Sequence, residues 1–319
     1  MYDLIKLSKD INETELKNVV SNNVFNVSYD ARGDPQKYTT LKNNPLYIAI
    51  IKDNCNKWKI EIKVSLAKFY NNYIYKIWIN TTPFNYNEAL HAFYLLMQSI
   101  NIDLYTANVK YYEIGLNLYT KFEPSKYIAK MQRVKNQLFD KVLIDDSYNY
   151  TFERTTTRGK NIRTIFKIYD KTHEQKERKH EKIKNTLRIE LIRKRPPKLT
   201  LKQLIDIKQV SYDIDIFLKA FSNISFEKLI LSNGLKNSQI ENIKEIINIG
   251  CNSFIEKYKE KYHNNEISLK QYRTKIKFVN DWNNGNYKNI QVIQTEFEKE
   301  FNTLLINEIQ KICPYGQSP

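Results

Sequence analysis

Three acidic residues stand in separate segments that are otherwise apolar or basic. They are Glu113 in KYYEIGLNL, Asp170 at the end of RTIFKIYD, and Glu190 in LRIEL. Each segment alternates in a way that predicts a β-strand. Because neighbouring strands can present alternate positions on a common face, we expect the three carboxylates to lie close together. A divalent cation, Mg²⁺ or Mn²⁺, would relieve their repulsion. The alternative is that each acid pairs with a nearby lysine or arginine.

Tyr169 lies directly beside Asp170 and Lys171, and this setting predicts a nucleophile. A phenol with its ordinary pKa of ~10 attacks poorly at neutral pH, but cations or a metal nearby would favour the phenolate. Attack on a phosphodiester would give a phosphotyrosine and conserve the bond energy in a protein–DNA link. The alternative is an ordinary core or surface tyrosine, since the chain has 23. The candidate activating cations are Lys171, Arg163, Lys167 and Arg188.

Positive charge is concentrated around this tyrosine. The whole chain has a net charge of +16, and residues 158–198 hold 15 Lys+Arg against 5 Asp+Glu, a net of +10. Such a basic segment usually binds phosphate or lies beside it, although a run such as 176–184 could also be a solvated helix. With ~6–8 phosphate contacts, DNA affinity would fall steeply with salt. The candidate DNA-binding residues are Arg158, Lys160, Arg163, Lys167, Arg188 and, on a separate strand, Lys63.

Composition excludes several classes of protein. Hydrophobic residues make up 41% of the 319 residues and aromatic residues 13%, which is enough for a sizeable core and argues against disorder. The sequence has no P-loop and no G-x-G-x-x-G motif. Four histidines and three widely spaced cysteines argue against a zinc site or a disulfide framework. Without a signal peptide or an apolar run of ~20 residues, we expect no membrane association and a cytoplasmic location.

The segments that must position the candidate residues change character near Pro196. Before it, alternating stretches at 44–67, 108–118, 148–154, 163–170 and 186–192 predict strands, and Asn85–Ile102 predicts a helix. Asn71-Asn72 predicts a hairpin turn, with residues 73–80 returning as a strand. After RKRPPK the segments have a period of 3.6 residues.

We therefore expect an α+β fold with two domains. Residues 1–195 would form an antiparallel sheet with packed helices, and residues 196–319 an all-helical C-terminal domain with a DNA-binding or accessory role. The basic segment 270–282 is the best candidate for a helix that reads DNA sequence, and packing on the sheet domain is its alternative. The loop 155–161 is a second candidate.

The motifs also carry a family resemblance. IFKIYDKTHEQ (165–175), followed by LRIEL (187–191), resembles the IYxKxxE…LRxE signature of rolling-circle replication initiators, as in the filamentous-phage gene II/X family and related plasmid Rep initiators. WKIEIKVSLAKFYNNYIY (58–75) resembles that family's EIKxSPAK segment, with Leu66 in place of proline. NVKYYEIGLNL (108–118) resembles its xxRIDxxxx strand, with Tyr111 in place of arginine and Glu113 in place of aspartate. The agreement spans about residues 45–200.

The resemblance implies a replication-initiator nuclease-like fold and a metal-dependent, site- and strand-specific DNA endonuclease. Tyr169 would be the nucleophile, joined to the 5′-phosphate and leaving a free 3′-OH as primer, with Lys171 and Arg188 on the phosphate. Glu113, Asp170 and Glu190 would bind Mg²⁺ or Mn²⁺, because the histidine pair common among initiators is absent. Partners would be single-stranded or supercoiled origin DNA, a host helicase and a DNA polymerase, and the chain could form a homodimer.

Two other hypotheses remain open from the sequence. One is a non-catalytic, sequence-specific DNA-binding regulator built on the same fold, which would bind without nicking. The other is a basic protein whose lysine excess reflects codon usage and which would bind DNA weakly and without sequence preference. If Tyr169 is not the nucleophile, Tyr148 and Tyr150 are the next candidates.

Overall fold

The structure is a computed structural model of the chain. It describes residues 1–40, 45–80, 84–134, 137–138, 141–144, 147–155, 163–177, 184–196, 198–226, 229–232, 234–287 and 290–312. The predicted contacts of Arg158 and Lys160 and most of the loop 155–161 therefore lie outside the described residues.

Fifteen strands and eleven helices are described. The strands are β1 (Tyr2–Ile11), β2 (Asn26–Tyr29), β3 (Pro35–Thr39), β4 (Leu46–Lys52), β5 (Trp58–Ser65), β6 (Asn108–Tyr119), β7 (Met131–Val134), β8 (Gln137–Leu138), β9 (Lys141–Ile144), β10 (Ser147–Thr155), β11 (Arg163–Asp170), β12 (Thr186–Lys194), β13 (Ile224–Phe226), β14 (Leu229–Ser232) and β15 (Ile290–Ile293). The helices are α1 (Glu13–Asn22), α2 (Leu66–Tyr75), α3 (Tyr86–Ile100), α4 (Pro124–Lys130), α5 (Lys171–Glu177), α6 (Leu201–Leu204), α7 (Ile207–Phe221), α8 (Asn237–Ile249), α9 (Cys251–His263), α10 (Leu269–Asn283) and α11 (Glu296–Ile312).

Ten strands form one antiparallel sheet in the order β2-β3-β4-β5-β1-β6-β12-β11-β10-β9. The predicted α+β class with an antiparallel sheet is thus confirmed. The N-terminal strand β1 lies between β5 and β6, so the middle of the sheet joins residues that are distant in sequence. The strands β6, β12 and β11, which carry the candidate residues, are direct neighbours.

The two faces of the central strands have different surroundings. On one face Tyr2 and Tyr112 pack against each other, Tyr2 packs against Phe93 of α3, and Phe166 packs against Phe221 of α7. These residues belong to the main apolar core. The opposite face of β6 and β12 carries polar side chains, because residues next to each other in a strand point to opposite faces.

Two predicted elements are wrong. Residues 66–75 form helix α2 rather than the strand-turn-strand expected around Asn71, because Leu66, Ala67, Phe69 and Tyr70 have helical spacing and are all buried. The region after Pro196 is not all-helical, since it contributes β13, β14 and β15. The main sheet does not include those three strands: β13 pairs with β7, and β14 pairs with β15.

The main core extends across the domain boundary predicted at Pro196. Leu204, Phe217 and Phe221, together with Phe301 and Leu305 of α11, belong to the same buried cluster as the sheet. A second, smaller cluster forms within α8–α10 around Ile243, Phe254 and Phe278. Residue 196 therefore marks a change in secondary structure, but residues on both sides of it share one apolar core. Among the described residues, no helix is both long and apolar enough to cross a membrane.

Candidate functional site

Three carboxylates converge on the polar face of the central strands. They belong to Asp3 on β1, Glu113 on β6 and Glu190 on β12, and one oxygen from each lies within 4.8 Å of the others. Asp3 and Glu190 are buried and Glu113 is half-buried. Two of the three acids predicted from sequence, Glu113 and Glu190, are thus brought together, and Asp3 completes the cluster.

Arg188 links two of the three acids, Asp3 and Glu190, through its guanidinium group. Its Nη2 lies 2.6 Å from Asp3 Oδ2 and its Nε lies 3.0 Å from Glu190 Oε1, while Nη1 donates to Asn117 Oδ1 at 2.9 Å. The side chain is 4% exposed. Burial lowers the pKa of the Arg188 guanidinium, but Asp3 and Glu190 outweigh burial and raise it overall. Because its three nitrogens are engaged and it is buried, Arg188 positions the acids instead of contacting DNA phosphate as the sequence predicted.

Gly115 makes room for that guanidinium. It lies opposite Glu190 in the β6–β12 register and is buried. A Cβ at this position would stand 2.2 Å from Arg188 Nη2 and 2.6 Å from Cζ. No other residue type therefore fits without moving Arg188. Glycine is needed here because the Arg188 side chain packs closely against the strand. It is not needed for an unusual backbone conformation, since Gly115 has ordinary extended backbone.

Tyr169 lies beside the acids on β11. Its hydroxyl donates to Glu190 Oε1 at 3.1 Å, and Lys167 Nζ lies 4.4 Å from its ring centroid. Lys171 Nζ lies 5.7 Å from the same centroid. The sequence predicted that nearby cations would favour the Tyr169 phenolate. Without a metal ion, the surrounding residues have the opposite net effect. Burial and the charge of Glu190 raise the pKa of Tyr169 well above its usual value, and Arg188 offsets only part of this.

The acids differ in protonation because they differ in partners. Burial raises the pKa of Glu113 to about 7, and the neighbouring charge of Glu190 adds to the shift. The Tyr111 hydroxyl donates to Glu113, which opposes it. Asp3 is also buried, yet its pKa is lowered because Arg188, Lys171, Ser65 and Asn80 together outweigh burial. Near neutral pH the cluster therefore holds an ionised Asp3 beside a Glu113 that is close to its midpoint.

An open cleft of about 780 Å³ gives access to the cluster. It is lined by the acids and Tyr169, and also by residues from β4, β5, α2, α5 and the segment after α2. The basic and aromatic lining residues are Lys63, Lys68, Lys167, Lys171, Tyr47 and Trp78. Lys63, Lys167 and Lys171 thus line the same cleft as the acids, and their contact with a charged substrate stays a prediction.

Asp170 does not join the cluster. As the residue after Tyr169 on a strand, it points to the opposite face, and its Oδ1 accepts a hydrogen bond of 3.0 Å from the His173 backbone N–H at the start of α5. Its role in the structure is to cap that helix. The assignment of Asp170 as a metal ligand is wrong for this reason. Lys171 is buried and pairs with Glu174 at 2.7 Å.

Other predicted residues are placed only in part. Arg163 lies on β11 opposite Lys194, which fixes its backbone position. Tyr148 and Tyr150 lie on β10, the next strand to β11. The predicted sequence-reading segment 270–282 lies within helix α10, and its role stays a prediction.

Two residues of the site were not predicted from the sequence. Asp3 was missed because nothing in the sequence shows that β1 inserts between β5 and β6. Tyr111, which hydrogen-bonds Glu113, is a second tyrosine beside the acids, with Lys6 Nζ 5.1 Å from its ring centroid. The available signal was its position two residues before Glu113, which puts both on one face.

The donor set suits a hard divalent cation. Mg²⁺ and Mn²⁺ prefer oxygen ligands, and Asp3, Glu113 and Glu190 offer carboxylate oxygens on three adjoining strands beside an open cleft. Among the described residues, Arg188 is the cation that contacts the acids directly, and Lys171, which acts on Asp3 from farther away, is itself paired with Glu174. Even with Glu113 near its midpoint, the three carboxylates carry more negative charge than the Arg188 guanidinium balances. Asp3, Glu113 and Glu190 are thus the residues that would hold a divalent cation.

Comparison with known proteins adds no family to this description. Neither the models of known protein families nor the curated proteins include a match to the chain.

Proposed function

We propose that this protein is a metal-dependent DNA-nicking enzyme that initiates rolling-circle replication. The observation that carries the proposal is the hydrogen bond of 3.1 Å from the Tyr169 hydroxyl to Glu190 Oε1, within a carboxylate cluster at an open, lysine-lined cleft. The motif resemblance around Tyr169 and Glu190 supports the same reaction. The nuclease-like identity of the fold and the partners, origin DNA, a helicase and a polymerase, are part of this proposal.

The chemistry follows from the partners of the tyrosine. The Tyr169 oxygen attacks the phosphorus of a phosphodiester, and its proton passes to Glu190 Oε1, the atom it already contacts. The bond from phosphorus to the 3′-oxygen breaks, and that oxygen takes up a proton from solvent in the open cleft and leaves as a 3′-OH. The product is a 5′-phosphotyrosine. Lys167 and Lys63, which line the cleft, offset the charge of the phosphate.

A cation is needed to make the phenol reactive in this setting. The pKa of Tyr169 is raised by burial and by Glu190, so the residues alone favour the neutral phenol at neutral pH. A divalent cation bound by the carboxylates would polarise the phosphate and reduce the negative charge next to the phenol. The proposal therefore requires that activity depend on Mg²⁺ or Mn²⁺.

Nicking of supercoiled DNA that carries the origin region of the protein's own replicon tests the proposal. With Mg²⁺ or Mn²⁺ the wild type should yield a nicked circle and a protein–DNA adduct that survives denaturation. Tyr169→Phe should abolish both while retaining DNA binding, since it removes one hydroxyl and leaves Arg188 bound to Glu190. Tyr94→Phe, an exposed tyrosine of α3, is the matched control and should behave as wild type.

Other outcomes have distinct meanings. Normal nicking by Tyr169→Phe would refute the assignment and turn attention to Tyr111, which also contacts a clustered acid, and then to Tyr148 and Tyr150. Sequence-specific binding by the wild type without nicking would favour the regulator hypothesis. The raised pKa of Tyr169 is the observation that favours the regulator, because a neutral phenol is a poor nucleophile.

A further inference from the structure

An aromatic segment stands exposed at the edge of the cleft. Tyr73, Ile74, Tyr75, Ile77 and Trp78 form the end of α2 and the turn after it, and their exposed fractions range from 39% to 58%. Single exposed apolar residues are common, but five within six positions form a patch of the kind that marks a binding surface. We refer to residues 73–78 as the aromatic segment.

The segment is held in place rather than loosely attached. Helix α2 ends at Tyr75 and is capped by Lys76, whose backbone is left-handed and whose N–H donates to the carbonyls of Asn71 and Asn72. The buried Asn71 side chain donates to the Ile79 carbonyl at 2.8 Å, which fixes the returning chain. The ring of Tyr75 packs on the buried ring of Tyr70. The exposed rings are therefore presented on a supported backbone.

The same segment is connected to the acidic cluster. Asn80, two residues after Trp78, donates to Asp3 Oδ2 at 3.3 Å, and its carbonyl accepts a hydrogen bond from Asn117. Trp78 itself lines the cleft that contains Tyr169, Glu113 and Glu190. A molecule lying in the cleft with its reacting atom at Tyr169 would thus extend over Trp78.

Charge indicates which molecule that is. The lysines Lys63, Lys68, Lys167 and Lys171 line the cleft together with Trp78, and Lys76 lies within the segment, with Nζ 5.8 Å from the Tyr73 ring centroid. Aromatic rings interleaved with lysines are the surface that single-stranded nucleic acid binds, with bases on the rings and phosphates on the cations. An apolar protein partner would not require a lysine-lined groove beside it.

We propose that the aromatic segment is a stacking platform for single-stranded DNA, with Trp78 taking a base close to the phosphate at Tyr169. This inference rests on the proposed function for the identity of the occupant as DNA. It adds a binding surface outside the acidic cluster and a preference for unpaired strands. The bases of a duplex, which are already stacked on one another, are not free to lie on these rings.

Binding without chemistry tests the platform. Affinity for a labelled single strand of about 20 nucleotides and for a matched duplex is measured in EDTA, where nicking is absent. Trp78→Ala should weaken single-strand binding about 5- to 100-fold and leave duplex binding unchanged, and Trp78→Phe should retain most of the affinity. Tyr94→Ala, an equally exposed ring on α3 that does not line the cleft, should have no effect.

The salt dependence of DNA affinity distinguishes phosphate contacts from base stacking. Lys68→Ala should weaken both single-strand and duplex binding and lower the slope of log affinity against log salt by about 1, whereas Trp78→Ala should leave that slope unchanged. Unaltered single-strand affinity in Trp78→Ala would overturn the inference. So would a wild-type dimer that Trp78→Ala converts to monomer with DNA affinity intact, because the segment would then be a protein interface.

The outcomes separate this inference from the proposed function. If nicking depends on Tyr169 but single-strand binding ignores Trp78, the platform is refuted and the enzyme stands. If Trp78 controls single-strand binding and no adduct ever forms, the platform stands and the enzyme is refuted.

Discussion

Strand β12 carries an arginine toward each face of the sheet, and the two have opposite surroundings. On the open face Arg188 meets Asp3 and Glu190, with Glu113 close by, so three carboxylates share one guanidinium. On the covered face Arg193 lies 4.0 Å from Asp213 of α7, which also accepts the Tyr112 hydroxyl.

The difference lies in the balance of charge. Around Asp213 one carboxylate meets one arginine and one phenol, and α7 covers the group, so it joins a helix to the sheet. Around Arg188 the negative charge exceeds the positive charge, and a cleft opens onto it. Buried acids without full compensation are costly, and keeping them beside an open cleft marks a candidate cation site. Balance of charge thus distinguishes a structural ion pair from a candidate site on the same strand.

Removing each arginine in turn should give the largest contrast. Arg188→Met leaves Asp3 and Glu190 buried without a counter-charge, and we expect a loss of about 3–5 kcal/mol in the free energy of unfolding. Arg193→Met removes a longer contact of 4.0 Å. Asp213 keeps its hydrogen bond from Tyr112 and, because burial already raises its pKa, can take up a proton, so we expect a smaller loss of about 1–2 kcal/mol. Denaturant unfolding at pH 7 measures both. Equal losses would contradict the charge argument.

The second contrast concerns pH and Glu113. Its pKa of about 7 in the folded protein is above the ordinary 4.5, so the folded state holds a proton that the unfolded chain has already released. Stability should therefore fall as pH rises from about 4.5 to 7, by at most about 3 kcal/mol. Glu113→Gln should remove this fall, which thermal unfolding between pH 5 and 8 would reveal.

Metal addition sharpens the same measurement. Mn²⁺ binding favours an ionised Glu113, so Mn²⁺ should raise the melting temperature more at pH 8 than at pH 6, and Glu113→Gln should reduce the increase. Asp170→Asn is the matched control, since Asp170 caps α5 outside the cluster. If Asp170→Asn reduced the Mn²⁺ effect as much as Glu113→Gln, the assignment of ligands would be wrong.

The smallest expected effect concerns Gly115, where a Cβ would clash with the Arg188 guanidinium. Gly115→Ala pushes Arg188 from its place, and we expect a loss of about 1–3 kcal/mol in the free energy of unfolding. The cost should nearly vanish in an Arg188→Lys background, because the clash is with the guanidinium. A double-mutant cycle measures this coupling. An additive result would show that the strand itself, rather than Arg188, requires glycine.

Much of the sheet could be predicted because strand alternation is a local pattern. Residues 163–170 and 186–192 alternate clearly, and they form β11 and β12 with Tyr169 and Glu190 on one face. The same rule excludes Asp170, since adjacent residues of a strand face opposite ways. Neither Asp3 nor the role of Arg188 could be predicted, because both depend on β1 pairing with β6, whose residues are about 100 positions away.

Helix α2 shows a different limit of the sequence. LAKFYNNYIY has aromatic and β-branched residues that are typical of strands, and its Asn-Asn pair is typical of a turn. Burial of Leu66, Phe69 and Tyr70 on one side of a helix outweighs these preferences. The exposed rings that follow from that helix could not be foreseen from the strand interpretation.

The pairing of β14 with β15 has a consequence for how the chain can vary. These two short strands are antiparallel neighbours, so the backbone leaves and rejoins the body of the protein at one point. Helices α8, α9 and α10 lie on the excursion between them and have a small apolar centre of their own. An excursion with adjacent ends can be lengthened, replaced or deleted without re-routing the rest. We therefore expect that closing the chain between Ser232 and Ile290 with a short turn would leave a folded protein with its acidic cleft intact.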